Sequence, residues 1–105
     1  MAAVKVMLVD DDALVRAGLA LILGGAPDLE VVAQASDGAD AVARAREVRP
    51  DVVLMDIRMP IMNGLDATER LMAQPQPPEV VVLTTFDADD HVVRALAAGA
   101  SGFLL

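Results

Sequence analysis

The 105 residues contain no cysteine, tryptophan or tyrosine, and phenylalanine occurs only twice. Disulfides and thiolate metal sites are thereby excluded, and a core must be assembled from Val, Leu, Ile, Ala and Met. Basic residues are scarce as well: eight Lys and Arg face sixteen Asp and Glu, a formal net charge of −8. That balance argues against direct nucleic-acid binding by this segment, because phosphate contacts need clustered cations. No run of 18 apolar residues exists, so no membrane span is expected. The opening MAAVKVMLVDDD reaches acid too soon for a signal-peptide core, and cytoplasm is the expected location.

What the chain does have is apolar residues, 55% of the total, arranged in short blocks. Val4 to Val9 reads as a first strand. Asp12 can cap a helix over about Ala13–Leu23, with Leu14, Leu19, Ile22 and Leu23 as its apolar stripe and Gly24-Gly25 ending it. Leu29 to Ala35 reads as a second strand. Ser36-Asp37-Gly38 breaks the chain before a helix over about Ala39–Val48 that turns Ala41, Val42 and Ala45 inward and closes at Arg49-Pro50. Asp51–Asp56 is a third strand, and Leu65–Ala73 a third helix burying Leu65, Thr68, Leu71 and Met72. Glu79–Thr85 is a fourth strand, Asp87–Ala98 a fourth helix ended by Gly99, and Gly102–Leu105 a fifth strand. Strands that are uniform apolar runs, alternating with helices, predict one open α/β domain with a parallel sheet covered on both faces.

In such a sheet ligands collect outside the carboxyl ends of the strands. Asp10, Asp11 and Asp12 follow the first strand, Asp56 ends the third, and Thr84 and Thr85 end the fourth. If those strands are neighbours, several carboxylates and a hydroxyl share one pocket. Close carboxylates repel and raise one another's pKa. A divalent cation relieves this, and an all-oxygen donor set makes Mg2+ the natural choice. A carboxylate beside such an ion is a nucleophile towards phosphorus, and a threonine hydroxyl could donate to an oxygen of the arriving group. Capping and turn formation are the competing roles for each aspartate taken singly.

The segments MLVDDD, VVLMDIRMPIMNG, VVLTTF and AGASGFLL resemble, in order and spacing, the receiver domain of bacterial two-component response regulators. APDLEVVAQASDG and MDIRMPIMNGLDATERL are similar to the NarL/FixJ-type subgroup, whose members usually carry a C-terminal helix-turn-helix. The resemblance implies a flavodoxin-like five-stranded sheet of order 2-1-3-4-5 and a single receiver domain over residues 1–105. It implies that Asp56 accepts a phosphoryl group from a histidine kinase. Asp11 and Asp56 would ligate Mg2+, with Asp10 holding it through water and the backbone carbonyl of Arg58 as a further ligand. Thr84 would be the switch hydroxyl, Phe103 its aromatic rotamer partner, and Thr85 the neighbour of the phosphate pocket; Asp12 is expected to cap. The fourth helix and fifth strand would form the output face, acting on DNA only through an output domain outside this chain.

One departure from the family pattern bears on switching. The family places a lysine directly after the fifth strand, and the chain stops at Leu105, one residue short of it and without a fifth helix. Truncation after strand five is expected to bare apolar surface and to favour self-association as a dimer. Two rival readings stand beside the switch. Asp10-Asp11-Asp12 also satisfies the Asp-x-Asp pattern of haloacid-dehalogenase-type phosphatases, in which Asp10 would be the nucleophile. The missing lysine would suit a phosphorylation-independent interaction domain. A turnover enzyme is not expected. His91, the only histidine, is expected on solvated surface.

Overall fold

The computed structural model describes residues 3–57, 59, 62–83, 94 and 96–104; for Phe103 and Leu104 it describes the backbone alone. Five strands form one parallel sheet: β1 (Val4–Val9), β2 (Leu29–Ala35), β3 (Val52–Asp56), β4 (Glu79–Leu83) and β5 (Gly102–Leu104). Their order is β2-β1-β3-β4-β5, the flavodoxin-like order expected. Three helices link the first four strands: α1 (Ala13–Gly24), α2 (Gly38–Val48) and α3 (Gly64–Met72). Of the expected fourth helix, residues 94 and 96–98 fall among the described positions; 94, 96 and 97 are helical, and Ala98 lies in the turn that follows. His91 lies outside the described residues, as does Leu105 at the expected end of the fifth strand.

Each helix starts behind a capping side chain, Asp12 as expected for α1, while α2 and α3 each begin one residue earlier than expected, at Gly38 and Gly64. Asp12 accepts hydrogen bonds from the backbone N–H of Leu14 (2.9 Å) and Val15 (3.4 Å). Asp37 caps α2 through Asp40 N–H, and Asn63 caps α3 through Asp66 N–H. The helix-ending signal before Pro50 takes a definite form: Arg49 adopts a left-handed conformation, φ 48°, and its N–H returns to the carbonyl of Ala45. Asp51, expected as the first residue of the third strand, lies just before it. Its carboxylate accepts the backbone N–H of Lys5 at 2.9 Å, and this ties the start of β3 to β1.

Parallel crossovers are right-handed. The step from β1 out to β2 therefore puts α1 on one face, while the steps from β2 to β3 and from β3 to β4 put α2 and α3 on the other. The α2/α3 face is dry. Met7, Val9, Val53, Met55, Val80 and Val82 point into it and meet Ala41, Ala45, Leu65 and Leu71, all buried. Each fully buried aliphatic side chain contributes about 1.5–3 kcal/mol. Thr68, buried there too, donates its hydroxyl to the Gly64 carbonyl at 2.7 Å, so no polar atom is stranded.

The α1 face differs. Val6 and Leu8 are buried beneath it, but Val52, Leu54, Val81 and Leu83 are only half-covered. The expected inward stripe of α1 is corrected here. Leu14 is 80% exposed and Ile22 73% exposed, together with Leu21 at 82%, whereas Leu19 and Leu23 sit half-buried. Nearly every residue of α1 is apolar, with Arg16 its single charge. No phase of the helix is therefore marked by polarity, and the contact with β1 and β2 selects the side carrying Arg16, Leu19, Ala20 and Leu23.

Two glycines set the loop that follows β3. Gly64 donates its N–H to the Ile57 carbonyl (2.8 Å), and Gly38 donates to the Met62 carbonyl (3.0 Å). A methyl group on Gly64 would overlap the backbone carbonyl of Asp56, and one on Gly38 would overlap Met62. The chain leaving Asp56 is thus folded back against two positions that admit no side chain. Gly64→Ala is expected to lower stability in urea unfolding by about 2 kcal/mol through overpacking against backbone. Gly18→Ala, in α1 with nothing near its missing side chain, is expected to raise stability by about 0.5–1 kcal/mol.

Candidate metal and phosphoryl site

Register brings the aspartates together. Val9 of β1 lies beside Met55 of β3, so the next residues of the two strands, Asp10 and Asp56, emerge side by side at the carboxyl edge. The chain runs from β1 outward to β2 and then returns past β1 to β3. The gap between β1 and β3 is therefore the topological switch point, where an open α/β sheet leaves its crevice. Asp10, Asp11 and Asp56 each offer a carboxylate oxygen there, and these oxygens lie within 4.8 Å of one another. Asp10 is buried, Asp56 half-buried and Asp11 exposed, a gradient from the sheet outward to solvent.

The surroundings fix the cluster in place. The Asp10 N–H donates to the Ala35 carbonyl of β2 at 3.1 Å. Its carboxylate accepts the Asp12 N–H at 2.8 Å, so the chain turns sharply between the strand and the α1 cap. Asp12 is accounted for by that cap, as expected. Arg16 was not singled out in the sequence reading. Its guanidinium donates to the Asp10 backbone carbonyl (2.5 Å) and to the Gln34 side chain (3.3 Å). The available signal was an arginine one turn past the cap in an otherwise apolar helix.

Two like charges about 5 Å apart repel by on the order of 3 kcal/mol at an effective dielectric near 20. Burial, the largest contribution, pushes the Asp10 carboxyl above its ordinary value of 3.8; the neighbouring Asp11 and Asp12 charges add to this, and the Asp12 N–H opposes it. Three oxygen donors and no nitrogen or sulfur among them form a set that could hold a hard divalent cation.

Of the remaining expected site residues, Thr84, Thr85 and Arg58 lie outside the described residues. The register sets Leu83, the residue before Thr84, beside Asp56. Phe103 belongs to β5 and pairs with Val82 through its backbone; the side-chain role expected of it lies outside what is described.

A family model described as the response regulator receiver domain matches residues 6–105. The chain belongs to the receiver-domain family. It is similar to the transcriptional regulatory protein LiaR of Bacillus subtilis, 44% identical over 102 residues that cover 97% of this chain and 48% of LiaR. It is 40% identical over 102 residues to the DNA-binding transcriptional activator DevR/DosR of Mycobacterium tuberculosis, covering 97% of this chain and 47% of that one. The chain thus spans about half the length of these curated relatives. Among solved structures, the signal receiver domain of NarL from Mycobacterium tuberculosis superimposes with a TM-score of 0.94 at 35% identity, covering 100% of this chain and 85% of that one. The NarL/FixJ-type likeness holds, and the chain is a response-regulator receiver of two-component signalling, a signalling protein by class. Among the described residues no helix is long and apolar enough to cross a membrane.

The raised pKa of Asp10 has a consequence for this receiver without metal. Below the ordinary carboxylate value both folded and unfolded chains hold the proton. As pH climbs, the unfolded chain releases it first, and the stability that Asp10 contributes is lost as pH passes the higher folded value. Asp10→Asn keeps an acceptor for the Asp12 N–H and removes the charge. In EDTA at about pH 7 the variant is expected to melt about 4–8 °C higher, roughly 1 kcal/mol. Calorimetry of both proteins should show that gain shrinking as pH falls towards 4.

Proposed function

We propose that the receiver is a phospho-accepting switch in which Asp56 takes a phosphoryl group from a histidine kinase. The observation that carries the reading is the meeting of Asp10, Asp11 and Asp56 at the β1/β3 switch point, oxygens within 4.8 Å. Three oxygen donors in so tight a group, with no nitrogen or sulfur among them, fit a hard divalent cation such as Mg2+. Asp11 and Asp56 would hold the ion directly, Asp10 through water, and the Arg58 backbone carbonyl would complete the protein ligands. The ion would supply neutralisation of the phosphoryl oxygens and of the carboxylates around them.

The residues then have distinct tasks. A carboxylate oxygen of Asp56 attacks the phosphorus of a phosphohistidine in line. The P–N bond breaks, its electron pair returns to the imidazole, and an acyl phosphate forms on Asp56. Thr84 would follow the new group by donating its hydroxyl, Thr85 would leave it room, and Phe103 would turn inward behind Thr84. Hydrolysis of the acyl phosphate resets the switch. The chain accepts one group and returns to its start, so it is not a turnover enzyme on small molecules.

The output reading rests on the relatives. Residues 1–105 form one receiver unit in this account. The DevR/DosR likeness, with its printed role as a DNA-binding activator, supports an output segment that binds DNA and regulates transcription, with the fourth helix and β5 as the face that changes. A cytoplasmic setting follows from a kinase donor and a DNA-binding output. The exposed Leu14, Leu21 and Ile22 on α1 support self-association as a dimer.

Labelling with acetyl phosphate and Mg2+, followed by intact-mass analysis and reductive trapping, tests the acceptor. One phosphoryl group is expected, located on Asp56. Asp56→Asn should remove it, and EDTA should slow labelling by more than about 100-fold. Label on Asp10 would instead support a phosphatase of the haloacid-dehalogenase type.

A further inference from the structure

A half-open cavity of about 890 Å³ lies at the edge of the sheet opposite the aspartates, where the end of α2, the entry to β3 and the turn from α3 to β4 meet. Three of the chain's eight basic side chains line it: Arg46 and Arg49 from the end of α2, and Arg70 from α3. None of the three makes a hydrogen bond or ion pair among the described residues; the ion pair described there is Arg44 with Asp40 on α2. The two carboxylates in the same wall are occupied elsewhere. Asp51 accepts the Lys5 N–H, and Glu79 accepts the Ser101 hydroxyl. A chain of net charge −8 thus gathers three unpaired guanidiniums in one cleft.

The rest of the lining narrows what would settle there. Guanidinium forks match the oxygens of phosphate in a bidentate way. The volume lies within the roughly 300–1,000 Å³ of small-molecule sites, well beyond what a single phosphate fills. Pro50, Pro75, Pro77 and Pro78 give rigid apolar walls without N–H donors. The Gln76 amide, held by a backbone at φ 53°, offers a donor and an acceptor beside them. A ligand with adjacent phosphates at one end and a flat, hydrogen-bonding ring at the other meets all of these features. We propose that this cleft binds a nucleotide carrying two or more phosphates, at a site separate from the aspartate cluster. The placement follows from the fold: α2, β3 and α3 also frame the phosphoryl site at their other ends.

ADP titrated into the full chain in EDTA, followed by amide NMR and calorimetry, tests the proposal; EDTA keeps metal-bound ADP from the aspartates. Saturable shifts are expected at Arg46, Arg49, Arg70 and Gln76. Arg46→Ala with Arg70→Ala should weaken binding at least about tenfold, while Asp11→Asn leaves it unchanged. Both arginines are exposed, so the double variant should keep its fold, which circular dichroism verifies. Pyrophosphate should bind at least about tenfold more weakly than ADP. Equal affinity for the two would overturn the nucleotide assignment. Absence of saturable shifts at about 1 mM ADP, or binding indifferent to the arginine substitutions, would overturn the site itself.

Discussion

Three carboxylates held within 4.8 Å of one another are the constraint to which the rest of this receiver answers. Left without a cation, the cluster opposes folding through Asp10, where burial and the neighbouring charges favour the protonated form. Among the described residues that cost falls at the end of the sheet where β1 and β3 part. Everything that fixes the cluster is local and specific. The β1/β3 register aligns Asp10 with Asp56, the Asp12 cap turns the chain after β1, and Arg16 fastens the Asp10 carbonyl. Gly64 is backed against the Asp56 carbonyl, where a side chain would not fit. A cluster so placed could hold a cation, and binding one would add to stability.

The stabilising burial lies on one side. Alternate residues of β1, β3 and β4 meet α2 and α3 in a layer that, among the described side chains, is aliphatic and methionine-rich, while the α1 face stays half-covered. The elements that carry the acid pocket at one edge and the arginine cleft at the other are thus those anchored by the dense layer. The two clusters stand at opposite ends of the strands. Asp10, Asp11 and Asp56 stand at the carboxyl edge, and Arg46, Arg49 and Arg70 at the amino edge.

Much of this was legible in the residues themselves. Strands announced themselves as β-branched runs ending in Asp or Pro-flanked turns, and β1 and β2 begin and end where the pattern says. The cap at Asp12 and the stop at Arg49-Pro50 are local chemistry, and local chemistry is readable; Ser36-Asp37-Gly38 was legible as a break, and the capping role of Asp37 emerges from the structure. The order of the strands is not local. It came from the likeness of MLVDDD and VVLMDIRMPIMNG to a known family, and no propensity sets which strand lies beside which. The phase of α1 failed for a physical reason: a helix apolar all round carries no stripe, and its orientation is chosen by the strands it lands on. Arg16 escaped because an arginine on a helix reads as solvated surface until the fold shows a carbonyl within its reach.

The claim that a cation completes the carboxylate cluster is tested most directly by thermal unfolding of this chain across a Mg2+ titration. The account predicts a midpoint that rises with Mg2+ concentration, the folded state gaining about 2.7 kcal/mol at a hundredfold excess over the dissociation constant, and an Asp11→Asn variant whose midpoint barely moves. A wild-type midpoint that stays flat across the titration would contradict it and favour a domain that works by contact alone.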